Sequence, residues 1–126
     1  MSRRLALIVE DDRDLAIIFA EALHAADYET EIARRGNEAL ACLASMTPEI
    51  VILDLHLPRV SGADILRQIR SEERLMETRV IIVTADPREA ETLYEGADLT
   101  LIKPIDFGQL RDLAKRLATG GVVDGQ

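Results

Sequence analysis

The chain has 126 residues, 48% of them apolar and 30% charged, and carries a formal net charge of −8. That length supports one hydrophobic core, and that composition excludes a disordered chain. The acidic field opposes binding to a nucleic-acid backbone or an anionic membrane through this domain, and favours a cation or a basic partner.

The start, MSRRLALIV, is basic like a secretion signal, but Glu10 cuts its apolar stretch after five residues, and no run long enough to cross a membrane follows. A cytoplasmic location is expected. Residues 5–9, LALIV, read as a strand that runs straight into Glu10, Asp11 and Asp12. Acids suit the unpaired backbone N–H groups ahead of a helix starting near Asp14. Three like charges at the end of a buried strand nevertheless repel unless a cation neutralises them. Helix capping and a cation site fit this stretch equally.

Residues 14–26 place Leu15, Ile18, Phe19, Ala22 and Ala26 at helical spacing, which predicts a helix with those side chains buried. YETEIA at 28–33 alternates weakly, as a strand does. A second helix is predicted over 37–46, with Ala39, Leu40, Leu43 and Met46 inward. Cys42, the only cysteine, lies on that helix as a core thiol; no intramolecular disulfide can form, and a reducing compartment follows. EIVIL at 49–53 is a third strand, RVIIVT at 79–84 a fourth and LTLI at 99–102 a fifth. Three helix starts carry capping signals: Ser61 with Asp64, Asp86 with Glu89 and Pro87 between them, and Asp106 with Gln109. Gly96 is placed to end the helix over 87–95 in a left-handed cap, and Pro104 ends the last strand. Residues 1–118 are expected to form the ordered domain, and the glycine-bearing stretch 119–126, TGGVVDGQ, a flexible tail.

Five strands alternating with helices, most of them continuously apolar, predict a single doubly wound α/β domain with a parallel five-stranded sheet and right-handed crossovers. In such a sheet ligands bind beyond the carboxyl ends of the strands. The first strand ends there in Glu10 and Asp11, the third in Asp54, the fourth in Thr84 and the fifth in Lys103. Taken singly, Asp54 reads as a turn cap, Thr84 as a β-branched strand residue and Lys103 as a solvated flank. Together they deliver three carboxylates, a hydroxyl and an ammonium to one rim, and that coincidence defines a site. Magnesium takes one or two carboxylates together with water and substrate phosphate, so Glu10, Asp11 and Asp54 can hold it. With charge on the phosphoryl oxygens neutralised by the ion, Thr84 and Lys103, an aspartate can attack phosphorus. Side-chain zinc ligation by His56 is not expected, because the only other histidine, His24, falls on the first helix.

Four segments, IVEDD, VILDLHLPRVSG, VTA and LIKP, in this order and spacing, resemble the receiver domain of bacterial two-component response regulators, over the span from Leu5 to about Ala118. The resemblance implies a flavodoxin-like (βα)5 fold with strand order 2-1-3-4-5. It implies that Asp54 is phosphorylated with Mg2+, that Asp11 ligates the metal directly and Glu10 through water, and that the backbone carbonyl of His56 is a further ligand. Thr84 and Lys103 would contact the phosphoryl group, and the bond from Lys103 to Pro104 would be cis. The phosphoryl group would come from a histidine kinase or phosphotransfer protein. A downstream protein or a second copy would bind through the fourth helix, fifth strand and fifth helix; nucleic acid and membrane are not expected partners. In that pattern the side chain two residues after the phosphoacceptor faces the site entrance, which leaves His56 either a regulator of water access or a bystander.

Two positions depart from the family pattern. Thr100 stands where an aromatic is usual, and Ile105 follows Pro104 where Phe is common. Thr100 therefore replaces the usual aromatic switch, and Thr84 with the segment 85–88 and the fourth helix is expected to carry the signal. An alternative from the binding class is a receiver-like module that signals by contact without phosphorylation. An alternative from the enzyme class is a small magnesium-dependent phosphatase, but the second aspartate that such hydrolases need two residues after the nucleophile is His56 here; no external turnover is expected. Neither the cognate kinase nor the output, nor whether the chain acts alone or as part of a longer one, is set by these residues.

Overall fold

The computed structural model describes residues 4–91 and 94–118. Its elements are β1 (Arg4–Val9), α1 (Arg13–Ala25), β2 (Tyr28–Ala33), α2 (Gly36–Ser45), β3 (Ile50–Asp54), α3 (Gly62–Ser71), a 3-10 turn (Glu73–Leu75), β4 (Arg79–Thr84), α4 (Pro87–Ala90), β5 (Leu99–Ile102) and α5 (Phe107–Ala118). The five strands form one parallel sheet in the order β2-β1-β3-β4-β5, as expected. The stretch expected to be a flexible tail, 119–126, lies outside the described residues.

Strand residues alternate between two cores because successive side chains leave opposite faces of a sheet. Ala6, Ile8, Ile50, Ile52, Ile81 and Val83 pack on one face against Phe19 and Leu23 of α1 and Leu110 and Ala114 of α5. Leu7, Val9, Val51, Leu53, Val80 and Ile82 pack on the other face against α2 and α3. The central strand β3 is buried throughout, so its apolar side chains each contribute about 1.5 to 3 kcal/mol relative to exposure. Between these two cores the carboxyl ends of β1, β3, β4 and β5 are held in a fixed register, and the site stands there.

Local chemistry sets the helix starts. Ser61 Oγ accepts from Asp64 N, Asp106 Oδ2 from Gln109 N and Asp86 Oδ1 from Arg88 N, so all three expected helix starts are capped by those side chains. Asp12, ahead of α1, accepts from Leu15 N. The third of the three acids after β1 is therefore the helix cap, and only Glu10 and Asp11 are left for other work.

The structure differs from expectation at four places. Ile18 was expected inward on α1 but is 41% exposed, because the buried stripe runs through Ala16, Phe19, Ala22 and Leu23 and leaves Ile18 on its flank. The helix expected over 87–95 is described only as Pro87–Ala90, none of it buried. Helices draw most of their stability from packing an apolar face, and this one offers only the half-buried Ala90. Gly96 does adopt a left-handed φ of 93°, yet in the turn before β5, where Ala97 N donates to Tyr94 O, rather than as the cap of a long α4. Cys42 is only half-buried, packed at the edge of the α2–α3 core.

Candidate phosphoacceptor site

Parallel pairing of β1 with β3 sets Val9 opposite Leu53, and this register delivers Glu10 and Asp54 side by side. Both are buried, with Glu10 fully so, while Asp11 is exposed. One carboxylate oxygen from each of Glu10, Asp11 and Asp54 lies within 4.8 Å of the others. Lys103, just past β5, reaches in from the neighbouring edge, its Nζ 2.8 Å from Glu10 Oε1 and 3.6 Å from Asp54 Oδ2. The bond between Lys103 and Pro104 is cis.

Backbone groups fix the rest of the constellation. Asp12 N donates to Glu10 Oε2 and His56 N donates to Asp54 Oδ1, each at 3.1 Å. The Arg34 guanidinium donates from Nε and Nη2 to the Asp11 carbonyl, which pins the acidic turn to the end of β2. Glycine at 62 brings α3 onto the end of β3: a Cβ there would stand 2.4 Å from the Asp54 carbonyl oxygen and 2.8 Å from Leu55 Cα. Gly62→Ala is therefore expected to cost about 2 kcal/mol through overpacking against main chain that has no room to move. Chemical denaturation checks this, and an unchanged midpoint would show that the loop yields.

Burial dominates the electrostatics. Desolvation raises the Glu10 pKa to about 7, against the Lys103 hydrogen bond and the Asp12 N–H, which lower it, and the Asp54 charge raises it further. Desolvation likewise holds the Asp54 carboxyl above its ordinary value. Burial pulls the Lys103 ammonium down, but the hydrogen bond to Glu10 and the charges of Asp54 and Glu10 outweigh it and leave the group above its usual pKa. One ammonium thus faces two crowded acids, paired closely with Glu10 Oε1 and more distantly with Asp54. An oxygen-only donor set with a surplus of negative charge fits a hard divalent cation.

Thr84, the last residue of β4, is fully buried. Its hydroxyl donates to Glu89 Oε1 at 2.9 Å and accepts from Asp86 N at 3.1 Å. His56 Nε2 contacts the same Glu89 oxygen in a short hydrogen bond. Glu89 was read in the sequence only as the reciprocal partner of Asp86 in a capping box. Its side chain instead turns inward to Thr84 and His56, and Asp86 N is satisfied by the Thr84 hydroxyl. No sequence spacing signals this, because the pairing depends on where α4 lies beside the sheet. Thr100 sits half-buried on β5 beside Ile82, carrying a methyl and a hydroxyl where the family pattern has a ring.

Fold and site together define a five-stranded parallel α/β domain with three carboxylates and one lysine at the carboxyl rim of its sheet. A family model described as response regulator receiver domain matches residues 6–115, and the chain belongs to that family. It is 30% identical over 117 residues to the DNA-binding transcriptional regulator NtrC of Salmonella typhimurium, covering 92% of this chain and 25% of that protein. It is 32% identical to the phosphate regulon regulatory protein PhoB of Rhizobium meliloti, covering 87% of this chain and 50% of that one. The chain thus spans between a quarter and a half of these relatives. Among solved structures, a CheY-like receiver domain from Methylobacillus flagellatus aligns with a TM-score of 0.82 at 27% identity, covering 92% of this chain and 99% of that one. The response regulator TrrA of Thermotoga maritima, solved in complex with Mg2+-BeF, aligns at 0.79 and 29% identity, covering 90% of this chain and 98% of that one. Response regulators receive phosphoryl groups from histidine kinases. Among the described residues no helix is long and apolar enough to cross a membrane.

Proposed function

We propose that Asp54 takes a phosphoryl group from a histidine kinase or phosphotransfer protein with Mg2+, and that the modified domain then changes its affinity for a partner. The observation that carries this reading is the meeting of Glu10, Asp11 and Asp54 with Lys103 at one rim. Glu10, Asp11, Asp54 and the His56 carbonyl would hold the magnesium ion, which neutralises charge on the acids and on phosphoryl oxygens. One Asp54 carboxylate oxygen attacks phosphorus; the bond from phosphorus to the donor breaks, and its electron pair leaves with the donor. The Lys103 ammonium stabilises charge on the transferring oxygens, and the Thr84 hydroxyl donates to one of them once the group is in place. The receiver domain is read as 1–118, and a downstream protein or a second copy would use the face made by α4, β5 and α5.

Acetyl phosphate with magnesium should add one phosphoryl group to the wild type, labile to hydroxylamine, and none to Asp54→Asn, as read by intact mass. Chelating the metal should abolish the label. Equal labelling of both proteins would overturn the assignment to Asp54. A protein that no donor labels would be a contact module, and steady phosphate release from phosphomonoesters would make it a phosphatase.

A further inference from the structure

A threonine has a single hydroxyl proton, and in this structure that proton is already committed. Buried Thr84 donates it to Glu89 Oε1, while its lone pair takes the amide of Asp86. Both partners belong to α4 and its N-cap. The Glu89 carboxylate is held from a second side by the ring of His56, whose own backbone amide donates to Asp54 Oδ1. Glu89 therefore bridges the end of β4 and the loop after β3, tying Thr84 to the residue whose amide holds Asp54.

We propose that Glu89 is a positioning residue that latches Thr84 in the unphosphorylated state and makes its release inseparable from displacement of α4. This rests on the reading of Asp54 as phosphoacceptor. For Thr84 to donate to a phosphoryl oxygen, its proton must leave Glu89. The freed carboxylate then stands close to a newly added anion, and like charges drive it outward. Glu89 moves with α4, which has four residues, none of them buried, so little apolar packing resists the motion. The device needs no aromatic side chain, and Thr100 provides none.

Titration with magnesium and beryllofluoride, an anionic phosphoryl mimic, tests the latch. Breaking one charge-assisted hydrogen bond that only the unmodified state makes should let Glu89→Ala bind the mimic about tenfold more tightly than wild type. Glu89→Gln keeps an acceptor oxygen without the charge and should fall between the two. In a Thr84→Ala background there is no hydroxyl to release, so Glu89→Ala should change nothing further. An equal gain in that background would show simple charge repulsion and overturn the latch, as would an unchanged or weaker affinity of Glu89→Ala.

A second readout does not involve Asp54 chemistry: without mimic or metal, Glu89→Ala should shift the Thr84 methyl resonance and speed amide exchange at Asp86. If both stay as in wild type the latch is refuted, whatever Asp54 does. A folded wild type that takes no mimic, yet shows these changes on substitution, would instead refute the phosphoacceptor reading and keep the latch.

Discussion

Metal-free protein is expected to lose about 3 kcal/mol of stability as pH rises from 4.5 to 7, and Glu10→Gln is expected to remove most of that loss. Glu10 is fully buried, and its pKa stands near 7 against 4.5 in the ordinary state. Between those values the folded chain keeps a proton that the unfolded chain has released, so the stabilisation is complete below about 4.5 and is gone once pH has passed about 7. The slope cannot exceed one proton, or about 1.4 kcal/mol per pH unit, which sets the total. Asp54 is shifted in the same direction and adds to the effect. Gln at position 10 cannot ionise and can still accept the Asp12 N–H. Magnesium should oppose the trend, because the ion takes the ionised acids and its binding releases the Glu10 proton. Thermal midpoints over this pH range, with and without millimolar magnesium, measure all of this. A wild type and Glu10→Gln with parallel pH profiles would show that Glu10 ionises in the folded chain as it does in water.

That prediction comes from burial, which sequence alone gives only in part. The acids at strand ends were legible because apolar runs such as EIVIL stop abruptly at charge, and a parallel sheet gathers all its carboxyl ends on one rim. Ser61 and Asp106 were legible because a cap bonds to an amide two or three residues on, within reach of local spacing. Other features escaped for the converse reason. Glu89 has the spacing of a capping box, but a buried hydroxyl and an imidazole, brought near by β4 and the loop after β3, offered it better partners. The length of α4 depended on what lay beneath it, and none of its residues Pro87–Ala90 is fully buried. Gly62 stood in a segment recognised by resemblance, yet only the contact with the Asp54 carbonyl shows why a side chain is excluded there. Arg70 gave no signal at all, since its partners lie up to 28 residues away.

Replacing Arg70 with Ala is expected to destabilise the fold by about 3 kcal/mol, and to lower the thermal midpoint by roughly 10 °C, while Asp54 remains competent in the folded fraction. From the end of α3 its guanidinium donates to four backbone carbonyls: Nε to Gly96 at 2.7 Å, Nη1 to Leu75 at 3.1 Å and to Met76 at 3.4 Å, and Nη2 to Thr78 at 2.8 Å. It also pairs with Asp98 at 3.3 Å. These carbonyls lie in the segments before β4 and β5, and the planar five-donor fork ties those segments together. Hydrogen bonds to a charged donor contribute about 1.5 to 3 kcal/mol each, and the sum falls short of additive because one side chain makes them all. Asp98 is not left alone by the change, since Arg79 and the Val80 amide also donate to it, which keeps the cost from rising further. Arg70→Lys holds the charge but cannot span four carbonyls, and should lose most of the same stability. The cluster sits at the amino-terminal edge of the sheet, opposite the carboxylates, so the damage should spread through β5 and the turn at Gly96 rather than through Glu10 or Asp54. A loss of under about 1 kcal/mol for Arg70→Ala, or a Lys variant as stable as wild type, would show that water replaces the guanidinium at those carbonyls.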